Sequence, residues 1–183
     1  MAAHVSSLCC ICYFQLQQLR PVVRSLSAEA ANSLVQAFIS CRLDYCNAMF
    51  YGISDTLFGR LQSVQNAAAR LSTGGLRRDH ISPVLKQLHW LPVRCRVAYK
   101  LAVLVFKSLY LAEECQLIAD DAERCRLRST NANVCIVPRN STRMGDRRFC
   151  VARPRVWNSL PSAVRQPDMD FGGQFQATIE DIF

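Results

Sequence analysis

Lysine, histidine and glycine are scarce in this chain of 183 residues, which has three Lys, three His and seven Gly. Scarce glycine excludes a phosphate-binding loop, which needs closely spaced glycines to bring backbone N–H groups onto the ligand. His4, His80 and His89 are isolated, and no glycine-flanked serine elbow occurs, so a nucleophile–base pair lacks its parts. Long apolar runs are missing too. The longest, Leu8–Phe14 and Leu101–Phe106, fall far short of the roughly 20 residues that a bilayer-spanning helix requires. No basic stretch precedes "LCCICYF" and no small-residue cleavage site follows it. These absences lead to the expectation of a soluble, intracellular protein of cytoplasm or nucleus. It would not be secreted, and would have no membrane partner, cofactor or small-molecule substrate.

What is present points elsewhere. Half the residues are apolar, enough to bury a core. Ten cysteines are present, but several (Cys46, Cys95, Cys135, Cys150) sit inside apolar patterns, where a free thiol behaves as a small hydrophobe. Cys9 and Cys12 form one Cys-x-x-Cys pair with no second Cys/His pair at ligand spacing, so structural thiols are expected rather than zinc. In "DHISP", Asp79 is expected to cap a helix rather than to join a metal pair.

The charge is uneven. From Arg124 to Arg155 there are nine Arg and one acid, Asp146, while the remaining residues hold 13 basic and 13 acidic groups. The whole net charge of +8 therefore lies in one window. Arg outnumbers Lys 19 to three, and its planar fork suits phosphate better than an ammonium does. Such a segment is either a solvated basic face or a nucleic-acid surface.

Periodicity predicts a mainly α fold. Five helices are expected over residues 1–112, followed by a basic tail, 113–183, that docks on them. The first runs from His4 to Arg24 on a stripe of Val5, Leu8, Cys12, Leu16 and Leu19, with Pro21 kinking or ending it. Ser27 caps the second, with Glu29 in its first turn. Ser54 or Asp55 caps the third, whose stripe is Leu57, Leu61, Val64, Ala68 and Leu71. Gly59 and Ala67–Ala69 would admit a close neighbour, and Gly74-Gly75 would stop the helix. A short fourth helix over "ISPVLKQLHW" leads to Pro92, which opens a fifth on Val93, Val97, Leu101, Leu104 and Val105. In the tail, "VCIVP" reads as a short strand and the prolines leave room for one helical turn near Trp157. The terminal "GGQFQATIEDIF" reads as a short helix.

"SCRLDYCNAMFYG", residues 40–52, resembles a reactive cluster until it is placed on a helical wheel. At about 100° per residue, Leu34, Val35, Phe38, Ile39, Leu43, Tyr45, Cys46, Met49 and Phe50 share one face with Arg42 near its centre. Asp44 and Asn47 fall opposite. A buried Arg42 would need an acid or carbonyls from another element, Asp55 being one candidate. "LIADD", Leu117–Asp121, matches the paired-Asp signature of a polymerase palm, but a polar run follows where a second strand is required. Asp120 and Asp121 are therefore expected to be solvated.

Six blocks in order, "HVSSLCCICYFQLQQLR", "CRLDYCNAMFYGIS", "LQSVQNAAARL", "DHISPVLKQLHWLPVRCRVAYKL", "VPRNSTRMGDRRFCVARPRVWNSLP" and "FQATIEDIF", resemble the reverse transcriptase of non-LTR, jockey-like retrotransposons. The resemblance covers the region after the polymerase palm, the helical thumb and the C-terminal tail. It implies an RNA-directed DNA polymerase fragment without endonuclease, fingers or palm, and hence without the magnesium-binding carboxylates or catalysis. It also implies that the thumb holds the template–primer duplex, so the expected partner is nucleic acid (RNA, DNA or hybrid) gripped through phosphates. The residues expected to carry that contact are Arg139, Arg143, Arg147, Arg148, Arg153 and Arg155. Arg42, Tyr45, Trp90 and Trp157 are expected to be structural. The alternatives are a helical protein-interaction or nucleic-acid-binding module with a host role, or an inert remnant.

Overall fold

In a computed structural model the structure describes residues 1–45, 47–110, 134–142, 144–162 and 165, with residues 106–110 as backbone. The chain falls into two compact units, Met1–Arg96 and Val97–Phe183. The fold is mainly α. The expected 112/113 boundary, Cys46, Arg143, "LIADD" and the terminal helix lie outside the described residues.

In the first unit, α1 (Ala2–Val23) buries Val5, Cys9, Cys12, Leu16 and Leu19, and Pro21 is accommodated inside its last turn. Cys9 thus takes the inward place expected of Leu8, which is half-buried. Next comes α2 (Ala28–Val35), where Ser27 accepts a hydrogen bond from the Ala30 N–H at 3.3 Å. That bond satisfies one of the unpaired donors of the first turn.

The chain then departs from the uninterrupted wheel. Gln36–Ser40 winds as a π turn before α3 (Cys41–Asp44). A π turn holds one extra residue, and one residue is about 100° of rotation. Leu43, 3 % exposed, therefore takes the inward position that the wheel gave Arg42, which is exposed. Tyr45 ends α3 in an extended conformation and is 76 % exposed. In the 3-10 turn Asn47–Phe50, Asn47 and Phe50 are buried while Met49 is exposed. The expectation of a buried Arg42 and a structural Tyr45 is thus overturned by a change of helical pitch. Asp55 does not receive Arg42. It pairs with Arg94, whose guanidinium also lies 5.0 Å above the Phe58 ring. Asp44 pairs with Arg96 at 3.3 Å.

The central element is α4 (Asp55–Thr73), which packs on α1, α2 and α5 (Ile81–Gln87). Its inward face is Leu61, Val64, Gln65, Ala68, Ala69 and Ser72. Leu57 and Leu71 are only half-buried, and a Cβ on Gly59 would meet nothing within 4 Å, so that glycine admits no neighbour. Gly74 ends the helix in the left-handed region (φ 70°), which a residue without Cβ adopts freely.

Two devices join α4 and α5 to the start of α6 (Val93–Tyr110). Gln65, 1 % exposed, donates to the Leu91 carbonyl at 2.8 Å and accepts from the Gln62 amide at 2.9 Å. Gln62 in turn accepts from the Val93 N–H at 2.9 Å, capping α6 from a distant part of the sequence. Meanwhile α5 ends with His89 at φ 54°, the Trp90 N–H bonded to the Leu85 carbonyl and the His89 N–H to the Lys86 carbonyl. This is a Schellman closure, and its usual apolar contact partners, Leu85 and Trp90, are both buried. Asp79 does not cap α5; its carboxylate accepts from the Leu76 N–H at 2.7 Å and closes the preceding turn.

The inward positions of α6 include Val93, Val97, Leu101 and Val105 as expected, but Leu104 is 39 % exposed and Ala102 is buried. In the second unit, residues 134–140 hold a single bridge position at Cys135 rather than a strand. The Asn158 side chain holds that position, accepting from the Cys135 N–H and donating to its carbonyl, both at 2.9 Å. A 3-10 turn, Gly145–Arg147, leads to α7 (Phe149–Ser159). This helix is longer than the single turn expected near Trp157. Pro154 lies inside it and forfeits one backbone bond, but the burial of Val151, Ala152, Pro154, Val156 and Trp157 offsets that loss.

Candidate nucleic-acid interface

The arginine-rich segment separates into a buried and an exposed set. Arg139 and Arg148 are exposed, and Arg147 is half-buried on the 3-10 turn. Arg155 is exposed but paired, its guanidinium 2.9 Å from Asp146. Arg143 lies outside the described residues. Arg153 is the correction. It is 4 % exposed in the middle of α7, with its guanidinium 5.9 Å from the Phe149 ring. Phe149 is four residues earlier, so the two side chains share a face of the helix. A guanidinium held there does not reach a phosphate in solvent, and Arg153 leaves the contact set.

The local geometry favours an anion at the start of α7. Arg148 occupies the N-cap position, no side chain caps the helix, and no acid lies in its first turn. The uncapped first turn and the positive end of the helix dipole therefore adjoin Arg147 and Arg148 along the chain. Trp157, 2 % exposed, is a core residue of this unit, and Trp90, 4 % exposed, is one of the first. Neither offers a ring for base stacking.

The cysteines are free thiols at all seven described positions. Cys9, Cys12 and Cys135 are buried, Cys95 is half-buried, and Cys150, expected in the core, is exposed. Burial pushes the Cys12 thiol up to about 11, with Cys9 adding to the rise and Arg42 opposing it. Burial raises Cys9 and Cys95 as well. Such thiols are protonated and unreactive at neutral pH. Among the described residues no three His, Cys, Asp or Glu side chains converge on a point that could hold a metal. Among the same residues no helix is long and apolar enough to cross a membrane.

No family model, no curated protein and no solved structure matches this chain.

Proposed function

We propose that the chain is the thumb-and-tail region of a non-LTR retrotransposon reverse transcriptase, and that it grips a template–primer backbone without catalysis of its own. One observation carries the reading. The entire net charge falls within residues 124–155, and within that window Arg139 and Arg148 stand exposed, Arg148 at the uncapped start of α7. Phosphate contacts of this kind are electrostatic and independent of sequence, which suits a surface that must follow any template.

A second reading, a protein-interaction module, is favoured by apolar side chains left in solvent in the first unit. Ile11, Phe14, Tyr45 and Met49 are 41 %, 59 %, 76 % and 59 % exposed. In the polymerase reading these would meet the rest of the enzyme. A filter-binding titration with an RNA–DNA hybrid tests the proposal. Binding at micromolar protein that weakens steeply with salt supports it, and absence of salt-sensitive binding removes the nucleic-acid role.

A further inference from the structure

The first unit carries a cleft that the net charge of the sequence conceals. It has a volume of about 720 Å³, within the range of small-ligand pockets. It is formed where the C-terminal ends of α1 and α4 meet the start of α2. Four arginines are among its lining residues, Arg20, Arg24, Arg70 and Arg77, and no acidic residue is. Among the described residues none of the four has a carboxylate partner. Arg70 is the most enclosed. One Nη donates to the Asp79 carbonyl at 3.3 Å, while its Nε is buried with no acceptor among the described residues. The Asp79 carboxylate is engaged by the Leu76 N–H and lies outside the lining.

Four like charges around one concavity repel each other, and a buried N–H without an acceptor is costly. An anion relieves both. The negative ends of the α1 and α4 dipoles oppose it with about half a charge each, against four full positive charges. Much of the remaining wall is apolar or aromatic, including Tyr13, Leu16 and Leu71, with Gln17, Ser72 and Thr73 as its polar members. A bare inorganic anion would leave that surface unused.

We propose that this cleft binds an organic phosphate, a phosphate monoester or diphosphate on an aromatic or apolar body, with the phosphate held by Arg20, Arg24, Arg70 and Arg77. The site is built from residues outside the arginine-rich segment and does not depend on its role. The same chemistry is offered by a free nucleotide and by the 5′-phosphorylated end of a strand.

Isothermal titration calorimetry on the full chain tests it, with AMP, adenosine, inorganic phosphate, and a dinucleotide with and without a 5′-phosphate as probes. AMP is expected to bind at least tenfold more tightly than either adenosine or inorganic phosphate, since guanidinium–phosphate bonds are charge-assisted and the body fills the apolar wall. Equal binding of the phosphorylated dinucleotide assigns the site to strand ends, and its exclusion assigns it to free nucleotides; both uphold the chemistry. Arg70→Met is expected to weaken AMP about tenfold or more. Because Arg70 also holds the turn at Asp79, Arg24→Gln and Arg77→Gln, both exposed, supply variants that keep the fold, each with a several-fold loss. Lys86→Gln, an equal change of net charge outside the cleft, is expected to have no effect. No binding of any phosphate probe at millimolar concentration overturns the proposal. So does AMP affinity unchanged in Arg24→Gln and Arg77→Gln, or adenosine binding as well as AMP.

Discussion

Replacing Gln65 by Leu tests how the first unit is fastened. Gln65 is 1 % exposed and makes two side-chain bonds, one to the Leu91 carbonyl and one from the Gln62 amide. Leu has a similar volume, so the substitution removes polarity more than bulk. Each partner left without a bond in a buried setting costs about 1–3 kcal/mol. Leu91 and Gln62 are half-buried, so water recovers part of that, and the apolar side chain gains some transfer energy. A net loss of roughly 2 kcal/mol follows from these opposing terms. For a unit of this size that corresponds to a melting temperature lower by about 8–16 °C. Calorimetry of the full chain reads the shift. Hydrogen exchange of peptides over residues 88–100 reads the local consequence, because a displaced Gln62 no longer accepts from the Val93 N–H. A melting temperature within about 2 °C of the parent, with exchange at Val93 unchanged, refutes the fastening role.

Four further outcomes follow. His89 holds φ 54° at the end of α5, so His89→Gly is expected to stabilise by about 0.5–1 kcal/mol and His89→Val to destabilise, as read by thermal melts. Asn158→Ala is expected to release the segment at Cys135, seen as faster exchange over residues 134–138 at an unfolding cost of about 1–3 kcal/mol. Burial raises the Cys12 thiol to about 11 from an ordinary value of 9.0. The folded state therefore holds that proton more tightly, its contribution is intact below pH 9 and is lost as pH rises toward 11. Melting temperatures should fall over that window, less so in Cys12→Ala. At neutral pH, Cys10 and Cys41, both exposed, should react with a thiol reagent well before Cys9 and Cys12.

Helix positions were legible wherever period and punctuation agreed. Ser27, Gly74 and the inward places of Val5, Cys12, Leu16 and Leu19 each follow from a rule that acts over a few residues, and each is observed, with Cys9 in place of Leu8. What escaped the sequence was a change of pitch. Nothing in "QAFIS" announces a π turn, and one extra residue there sends Arg42 to solvent and gives Leu43 its central place on the inward face. Long-range satisfaction was equally hidden, since no local rule pairs Gln62 with the start of α6 or Gln65 with the Leu91 carbonyl. In the basic segment the charge count was legible but accessibility was not. Pro154 argued against a helix, yet α7 forms and carries Arg153 into the interior. The cleft arginines were missed for another reason. Counting charge over all residues outside 124–155 balances them against acids that lie mostly beyond residue 112, although Arg20 and Arg24, four residues apart, were a usable signal.

The salt dependence of binding to an RNA–DNA hybrid tests the central claim most directly. With three to four phosphates engaged by the arginine-rich segment, log K should fall against log salt with a slope of about −3. In Arg139→Gln/Arg148→Gln the slope should flatten by roughly 2, since each lost contact removes nearly one unit, while Arg153→Met should leave the slope unchanged. A flat salt profile, or a slope untouched by the double substitution, would contradict a backbone-gripping role for this segment.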